Sequence, residues 1–378
     1  MTDRVRAAVM HPGRMETREF AYPDPKEGEM IVKMRMSGVC GSDKHQFDGH
    51  LKVDFPVIPG HENVAVVNQT TETAAESMEV HGERLQEGDR VLWYPDISCG
   101  RCYYCRFLGT WHSTQCENPF TYGYVNCEKE EFRPWIFGGW SEFVLLRPGT
   151  RVWKIPDSMS DEIAVLLDTL ASTRAVARAQ MPYPNQKEGF GYGDIVVVQG
   201  AGPVGLMAAV RAKTLGADKV IMIGGPEWRL KVAEDFGVDA AISLDTFDTS
   251  EKRIEEVKRL TKGIGADLVA DCTGIPSAFP EAVEMARKSG YVVEIGAYTD
   301  YGPIPFNPWR LVDRDLTVIG QFYCPPMQYE TDLKLLHNTM DRFPYERMLT
   351  HKVPLDRAVE AISAHRDLRS MKAAILPR

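Results

Sequence analysis

The chain has 378 residues, which at about 100–200 residues per domain corresponds to two or three domains. Lysine and arginine number 44 and aspartate and glutamate 53, so the formal net charge is −9, and this balance argues against nucleic-acid binding, which needs a concentrated basic surface. Hydrophobic residues make up 44% and charged residues 26%, as in folded globular proteins, and these values exclude a disordered or low-complexity chain.

The sequence lacks the features of a membrane or secreted protein. No apolar stretch approaches the roughly 18 residues of a membrane span, and the N-terminus is polar without an apolar signal region. We therefore expect a cytoplasmic protein with no membrane partner. In a reducing compartment, clustered cysteines favour metal binding over disulfides.

Short β-like runs occupy the chain to about residue 160, and turns containing glycine or proline separate them. The clearest runs are residues 30–34, 64–67 and 90–93. This pattern predicts a small antiparallel barrel or meander.

Two motifs in this region carry residues of the types that a catalytic zinc uses as ligands. Cys40 and His61 are natural ligands, and a catalytic zinc takes about three protein ligands, so a carboxylate such as Glu62 is expected to complete the set. Taken singly, each of these residues is better explained as a buried cysteine, a loop histidine or a solvated glutamate, so the residue types alone do not establish a zinc site.

A second cysteine motif follows, with the spacing C-x2-C-x2-C-x10-C, formed by Cys99, Cys102, Cys105 and Cys116. Four thiolates fill the tetrahedral shell of one zinc, so such a site stabilises a loop and performs no chemistry. An iron–sulfur cluster is the alternative, but the usual ferredoxin motif has a closer fourth cysteine that precedes a proline. We predict a structural zinc, with an iron–sulfur cluster or vacant thiols as alternatives.

From about residue 190 the pattern changes to alternating strands and helices. This alternation predicts an α/β fold with a doubly wound parallel sheet. The expected strands are residues 195–198, 220–223, 240–243, 268–271 and 291–295. The expected helices are residues 203–215, 228–236, 252–261 and 278–289.

A glycine-rich loop of the form G-x-G-x-x-G lies between the first strand and first helix of this region. In this position it predicts a dinucleotide site, because the glycines permit a tight turn and close approach of a pyrophosphate to the helix N-terminus. An ordinary glycine-rich turn is the alternative. The residues assigned to the cofactor here are Gly200, Gly202, Pro203, Val204 and Gly205.

The sequence leaves the choice between NAD and NADP open. The acidic residue that binds the ribose hydroxyls of NAD is replaced by Gly224. Arg229 could pair with the 2′-phosphate of NADP, whereas Glu227 could reach the ribose of NAD. Arg229 equally fits a solvated position in the first turn of a helix.

The last 70 or so residues return to short strands with one helix near residues 357–365. The simplest architecture is an α/β domain inserted into a β-rich domain. We place the β-rich domain at residues 1–169 and 311–378 and the dinucleotide-binding domain at residues 170–310.

Together, in this order, the motifs resemble the zinc-dependent medium-chain dehydrogenase/reductase family over nearly the whole chain. The similarity is greater to the bacterial sorbitol- and threonine-dehydrogenase branch than to the animal alcohol dehydrogenases. The resemblance implies a Rossmann domain and a GroES-like catalytic domain. The chain differs from the usual family pattern in the ten-residue gap before Cys116. Two of its segments, 68–83 and 119–137, are also longer than the usual connections, and no role is assigned to them.

The resemblance also implies roles for individual residues. Cys40 and His61 match the first two catalytic zinc ligands, and Glu62 matches a glutamate that coordinates zinc or lies just behind it. Asp168 falls where related enzymes have a cysteine or glutamate ligand, so we expect it to be the third ligand. Asp43 matches a carboxylate that orients the histidine, and the proton relay of the family corresponds to Ser42 and His45.

The implied activity is hydride transfer between an alcohol and NAD or NADP, with two zinc ions per chain, one catalytic and one structural. The expected substrate is a small secondary alcohol, polyol or sugar. Alternatives are an NADPH-preferring carbonyl reductase and a catalytically silent nucleotide-binding relative. By analogy with the family, we expect a homodimer or homotetramer.

Overall fold

The computed structural model describes residues 3–181 and 189–377. The chain forms two compact units: the first comprises Met1–Asp168, Pro325–Met340 and Tyr345–Arg378, and the second comprises Thr169–Cys324 and Asp341–Pro344. No described helix is long and apolar enough to cross a membrane.

The strands, in chain order, are β1 (Arg4–His11), β2 (Arg14–Ala21), β3 (Met30–Gly38), β4 (Asn63–Thr70), β5 (Arg90–Trp93), β6 (Asp96–Ile97), β7 (Phe120–Thr121), β8 (Phe143–Leu146), β9 (Val152–Lys154), β10 (Ile195–Gln199), β11 (Lys219–Gly224), β12 (Ala240–Ser243), β13 (Ala266–Asp271), β14 (Ala286–Glu294), β15 (Thr317–Gly320), β16 (Leu349–Pro354) and β17 (Lys372–Leu376).

The helices, in chain order, are α1 (Gly41–Phe47), α2 (Glu72–Ser77), α3 (Tyr103–Phe107), α4 (Asp161–Ala164), α5 (Leu167–Ala171), α6 (Arg174–Arg178), α7 (Pro203–Thr214), α8 (Glu227–Asp235), α9 (Ser250–Leu260), α10 (Ala278–Met285), α11 (Trp309–Val312), α12 (Pro326–Thr339) and α13 (Ala358–Arg366).

The first unit is built on a seven-stranded sheet with the order β16-β17-β3-β4-β5-β9, in which β8 also pairs with β3. The long strand β3 is almost wholly buried, because three neighbouring strands pair with it and one face packs on an apolar core that includes Val32 and Trp93. The strands that the sequence predicts in this region are all present, and the sheet places the C-terminal end of β3 just before Cys40.

The second unit contains a six-stranded parallel sheet with the order β12-β11-β10-β13-β14-β15. This is the strand order of a doubly wound dinucleotide-binding fold. Val196, Val197 and Val198 of β10 are fully buried, as expected for a central parallel strand with both faces covered. The predicted fold class is confirmed.

Two predictions of secondary structure are wrong. The helix expected over residues 278–289 ends at Met285, and β14 begins at Ala286; Ser289 has a φ of +55°, which no right-handed helix accommodates. The C-terminal region contains a second long helix, α12, which we did not predict. Its buried residues Tyr329, Leu333 and Leu336 have the spacing of an amphipathic helix, so the signal was present.

Candidate active site

Three potential metal ligands converge where β3 ends and α1 begins. Cys40 is the N-cap residue of α1, and His61 and Glu62 directly precede β4, which pairs antiparallel with β3. Ligand atoms of Cys40, His61 and Glu62 all lie within 4.8 Å of one another, and His61 and Glu62 are buried. One ion can therefore contact all three side chains.

Asp43 supports this cluster from behind. Its side chain is fully buried, and Oδ1 lies 3.7 Å from Nδ1 of His61. The other oxygen, Oδ2, accepts a 2.8 Å hydrogen bond from the backbone N–H of Cys40. Asp43 thus holds the backbone of Cys40 by a hydrogen bond and places its negative charge beside the imidazole of His61, the position that a carboxylate behind a metal-binding histidine commonly takes.

The electrostatic field at His61 favours a cation. Burial by itself disfavours a charged imidazole, yet Asp43, Cys40 and Asp168 together raise the pKa of His61 well above its ordinary value. The same field would stabilise a metal ion on the imidazole. The donor set of sulfur, nitrogen and oxygen is one that zinc accepts, so these residues fit a catalytic zinc.

Glu62 has a partner that sequence reasoning missed. Nζ of Lys372, on β17, lies 2.6 Å from both carboxylate oxygens of Glu62, and both side chains are buried. Gly38 provides the space, because a Cβ atom at this position would lie 2.0 Å from Oε2 of Glu62. No local motif could have revealed a lysine 310 residues away in sequence.

Asp168 lies near the cluster without joining it. It belongs to α5 and is buried, and Oδ2 accepts a 2.5 Å hydrogen bond from the hydroxyl of Tyr329. Asp168, Glu62 and Trp93 line one small cavity of the first unit. However, Asp168 is outside the group of donors that meet within 4.8 Å, so its role as third ligand stays a prediction. Sequence reasoning also missed Tyr329.

The expected relay residues lie one turn apart on α1. Oγ of the buried Ser42 is 3.5 Å from Nε2 of His61, so the structure places this hydroxyl beside the metal donors. The ring of His45 lies 5.8 Å from that of His50. Burial and the neighbouring Lys44 and His50 lower the pKa of His45, which keeps its imidazole neutral and able to accept a proton.

The four clustered cysteines form a second donor group. Ligand atoms of Cys99, Cys102, Cys105 and Cys116 lie within 4.8 Å of one another, and the sulfurs of Cys99 and Cys105 are 4.0 Å apart. Four sulfurs bound to one zinc at 2.3 Å lie about 3.8 Å apart. Backbone N–H groups lower the pKa of Cys99 to about 6 and also lower that of Cys102, whereas burial raises the pKa of Cys105 and Cys116. It is therefore the spacing of the four sulfurs that fits a closed structural site.

The glycine-rich loop has the geometry that a pyrophosphate requires. Gly200 has a φ of +102°, and a Cβ atom at Gly205 would lie 1.8 Å from the carbonyl oxygen of Gly200, so neither position tolerates a side chain. Gly202 is the N-cap residue of α7, and Pro203 occupies its first turn. The free N–H groups at this terminus fit an anionic cofactor group.

Gly224 and Arg229, which follow this loop in the sequence, bear on the choice between NAD and NADP. A Cβ atom at Gly224 would lie 2.7 Å from the backbone nitrogen and from Cβ of Ala201, so a carboxylate cannot stand here without movement of the loop. The buried Arg229 has Nη1 3.9 Å from the position of a Cβ atom on Gly202. The guanidinium group therefore lies beside the phosphate-binding loop and not in solvent, as the alternative interpretation required.

Family models match both units of the chain. A model described as the alcohol dehydrogenase GroES-like domain matches residues 26–157, and one described as a zinc-binding dehydrogenase matches residues 203–338. The first match covers the Cys40–His61 cluster and the cysteine group, and the second begins within the glycine-rich loop.

Known proteins match over almost the entire chain. 5-exo-Hydroxycamphor dehydrogenase of Pseudomonas putida is 31% identical, with 94% of each chain covered. The chain belongs to the zinc-dependent medium-chain dehydrogenase family. A sorbitol dehydrogenase of Halalkalibacterium halodurans is 28% identical, with 97% of this chain and 96% of that protein covered. The structure of an alcohol dehydrogenase of Thermotoga maritima superimposes with a TM-score of 0.88 at 28% identity, over 99% of this chain and 100% of the other.

Membership of the medium-chain dehydrogenase family confirms the predicted class of enzyme and its cofactors. The chain is an NAD(P)-dependent zinc oxidoreductase that acts on an alcohol or polyol.

Proposed function

We propose that this medium-chain dehydrogenase oxidises a small secondary alcohol, polyol or sugar at a zinc held by Cys40, His61 and Asp168. The observation that carries the proposal is the convergence of Cys40, His61 and Glu62 within 4.8 Å, with Asp43 fixed behind them. Lys372 holds Glu62 by an ion pair, so we assign Glu62 to a supporting position from which it contacts the metal only transiently.

Zinc bound to these residues supplies a Lewis acid that lowers the pKa of a substrate hydroxyl. Ser42 relays the hydroxyl proton, accepting it at Oγ while it releases its own, since this Oγ lies beside His61; the hydride of the same carbon goes to NAD(P)+. His45, kept neutral by its lowered pKa, passes the proton on to solvent. The charge of Asp43, 3.7 Å from Nδ1 of His61, stabilises the imidazole as a ligand.

The parallel-sheet unit binds NAD(P) in this proposal. Gly200, Gly202 and Gly205 admit the pyrophosphate to the backbone at the start of α7, and Pro203 and Val204 form the first turn behind it. The β-rich unit holds both zinc ions. The four-cysteine group maintains the fold of the loop that contains α3.

We also propose a homo-oligomer in the cytoplasm. Within the described part of the chain, β15 pairs on one side only, with β14, and Val312, Trp309 and Val318 nearby are exposed. An unpaired edge with apolar neighbours supports contact with a second copy. The eight cysteines, all of which lie in the described part of the chain, form no disulfide there, and five of them belong to the two groups of metal donors, which suits a reducing compartment.

Metal analysis of protein purified without added metal tests the proposal. We expect two zinc ions and no iron per chain, and one zinc after Cys40→Ser or Asp168→Asn. The wild type should oxidise simple secondary alcohols with NAD+ or NADP+, and both variants should lose this activity. One zinc in the wild type that survives Cys40→Ser would contradict the catalytic site, and iron would contradict the assignment of the four cysteines.

The second candidate is an NADPH-preferring carbonyl reductase, favoured by Gly224 and Arg229. Gly224 packs against Ala201 and carries no carboxylate to repel a 2′-phosphate, and Arg229 supplies a buried cation near the loop. Initial rates with NADPH and NADH on a ketone distinguish the candidates. Arg229→Gln should weaken NADPH binding more than NADH binding, while Lys231→Gln, a change at the next basic residue of α8, should leave the ratio unchanged.

A further inference from the structure

The expected third ligand, Asp168, has a hydrogen-bond partner from a distant part of the chain. Tyr329 belongs to α12, and its hydroxyl donates a 2.5 Å hydrogen bond to Oδ2 of Asp168. Both residues are buried, with 2% of Tyr329 and 4% of Asp168 exposed. They line one small cavity together with Glu62, so this hydrogen-bonded pair shares a cavity with a member of the metal-donor cluster.

Aromatic neighbours hold the ring of Tyr329 in place. The ring lies 5.2 Å from that of Tyr94 and 5.4 Å from that of Trp153, and both neighbours are buried. The indole N–H of Trp153 in turn donates a 3.1 Å hydrogen bond to Oε2 of Glu330, the next residue of α12. Because packed rings move only together, Tyr329 cannot turn away from Asp168 without displacing a buried neighbour.

The segment that carries the four cysteines holds the start of the same helix. The backbone N–H of Met327, in the first turn of α12, donates a 3.3 Å hydrogen bond to the carbonyl oxygen of Trp111. The ring of Trp111 also lies 6.5 Å from that of Trp153. Trp111 stands between Cys105 and Cys116 in the sequence. The helix that positions Tyr329 is therefore fixed on a segment bounded by two metal-binding cysteines.

The two carboxylates that line the cavity have partners of different charge. Nζ of Lys372 lies 2.6 Å from both oxygens of Glu62, so an ammonium group offsets the charge of that carboxylate. The hydroxyl of Tyr329 is neutral, so its hydrogen bond orients Asp168 without cancelling the negative charge. A carboxylate ligand needs this charge, and carboxylates that bind metals are commonly held by a hydrogen bond of this kind.

We infer that Tyr329 is a positioning residue, which fixes the orientation of the Asp168 carboxylate for the catalytic zinc and leaves its negative charge available to the ion. This inference rests on the proposed function, since that function makes Asp168 the third ligand. Tyr329 acts through Asp168, and no contact with the metal, the substrate or the cofactor is assigned to it.

The substitution Tyr329→Phe tests the inference, because it removes the hydroxyl and keeps the packed ring. The zinc of the Cys40–His61 site should bind about 10- to 100-fold more weakly than in the wild type, the usual cost of losing a hydrogen bond to a metal ligand. Competition with a chelator measures the affinity. The ion that is lost is identified by comparison with Cys40→Ser, and the zinc of the four cysteines should be retained.

Tyr345→Phe is the matched control. It removes another buried tyrosine hydroxyl of the same unit, which lies 2.7 Å from Oγ1 of Thr339 at the end of α12. Each variant loses one buried hydrogen bond, so a purely structural role of Tyr329 would lower both melting temperatures alike and leave both zinc affinities at the wild-type value. We expect the melting temperatures to fall in both variants and the affinity of the catalytic zinc to fall only in Tyr329→Phe.

The outcomes separate this inference from the proposed function. Equal zinc affinities in Tyr329→Phe and Tyr345→Phe would overturn the positioning role, and so would loss of the four-cysteine zinc in place of the catalytic one. Retention of two zinc ions by Asp168→Asn would instead remove Asp168 from the ligand set and contradict the proposed function. One zinc in Asp168→Asn together with wild-type affinity in Tyr329→Phe would refute the positioning role alone.

Discussion

Nζ of Lys372 lies 2.6 Å from both carboxylate oxygens of Glu62, and the two side chains are only 3% and 1% exposed. The pair joins the last strand of the chain to the residue beside His61. Burial disfavours the charge of Lys372, but Glu62 and the anionic cluster around Cys40 raise its pKa, so the lysine stays charged. The pair therefore neutralises Glu62 and holds it at a fixed position behind the metal donors.

Removing the charge of Lys372 should destabilise the protein strongly. Lys372→Met leaves the buried carboxylate of Glu62 without its partner, and loss of one member of a buried pair costs about 3–5 kcal/mol. Urea unfolding measures the change. Lys372→Arg should retain most of the stability, and the double variant Lys372→Met/Glu62→Gln should recover much of the loss. A Lys372→Met variant as stable as the wild type would show that Glu62 is not charged.

A methyl group at position 38 should displace Glu62. The Cβ atom of Gly38→Ala would lie 2.0 Å from Oε2 of Glu62, so the carboxylate must move towards the metal or the strand must shift. Overpacking of this kind costs about 1–3 kcal/mol. We expect lower stability and faster loss of one zinc during dialysis against a chelator. In Gly191→Ala, the nearest atom to the new Cβ is 3.9 Å away, and this control should behave like the wild type.

The structural zinc site can be tested by two cysteine substitutions, one inside the four-cysteine group and one outside it as a control. Cys116→Ser should reduce the metal content from two zinc ions to one and lower the melting temperature, because the zinc contributes directly to folding of the loop. Cys127→Ser alters a buried cysteine outside the group and should retain both ions. A Cys116→Ser variant that still binds two zinc ions would remove Cys116 from the ligand set.

The parts of the molecule that the sequence predicts well are those encoded locally. The four cysteines span 18 positions and the glycine-rich loop six, so their spacing alone brings the donors and the backbone together. The strands of the parallel sheet were found because buried parallel strands read as continuous apolar runs. The predicted helix 278–289 is too long because residues 286–289 include no proline or glycine that would indicate an earlier end.

The parts that the sequence does not predict depend on contacts between distant segments. Lys372 meets Glu62 across 310 positions and Tyr329 meets Asp168 across 161, and no periodicity links such pairs. The sequence identifies the metal donors of a site, whereas the side chains that surround those donors can be identified only from the folded structure.

A carboxyl pair in the parallel-sheet unit should make stability depend on pH. Glu294 and Asp271 are in register at the C-terminal ends of β14 and β13, and burial together with the charge of Asp271 raises the pKa of Glu294 from 4.5 to about 7. Between these values the folded chain binds more protons than the unfolded chain. The free energy of unfolding therefore falls as pH rises through this interval.

Glu294→Gln should remove this part of the pH dependence, because the amide keeps hydrogen-bonding capacity but does not titrate. Urea midpoints at pH 5, 6 and 7 measure the slope: the variant should gain stability relative to the wild type as pH rises. Glu255→Gln, at an exposed position of α9, should follow the wild-type curve. If the urea midpoints of Glu294→Gln and the wild type change equally with pH, the pKa of Glu294 is the same in the folded protein and in the unfolded chain, which contradicts the prediction.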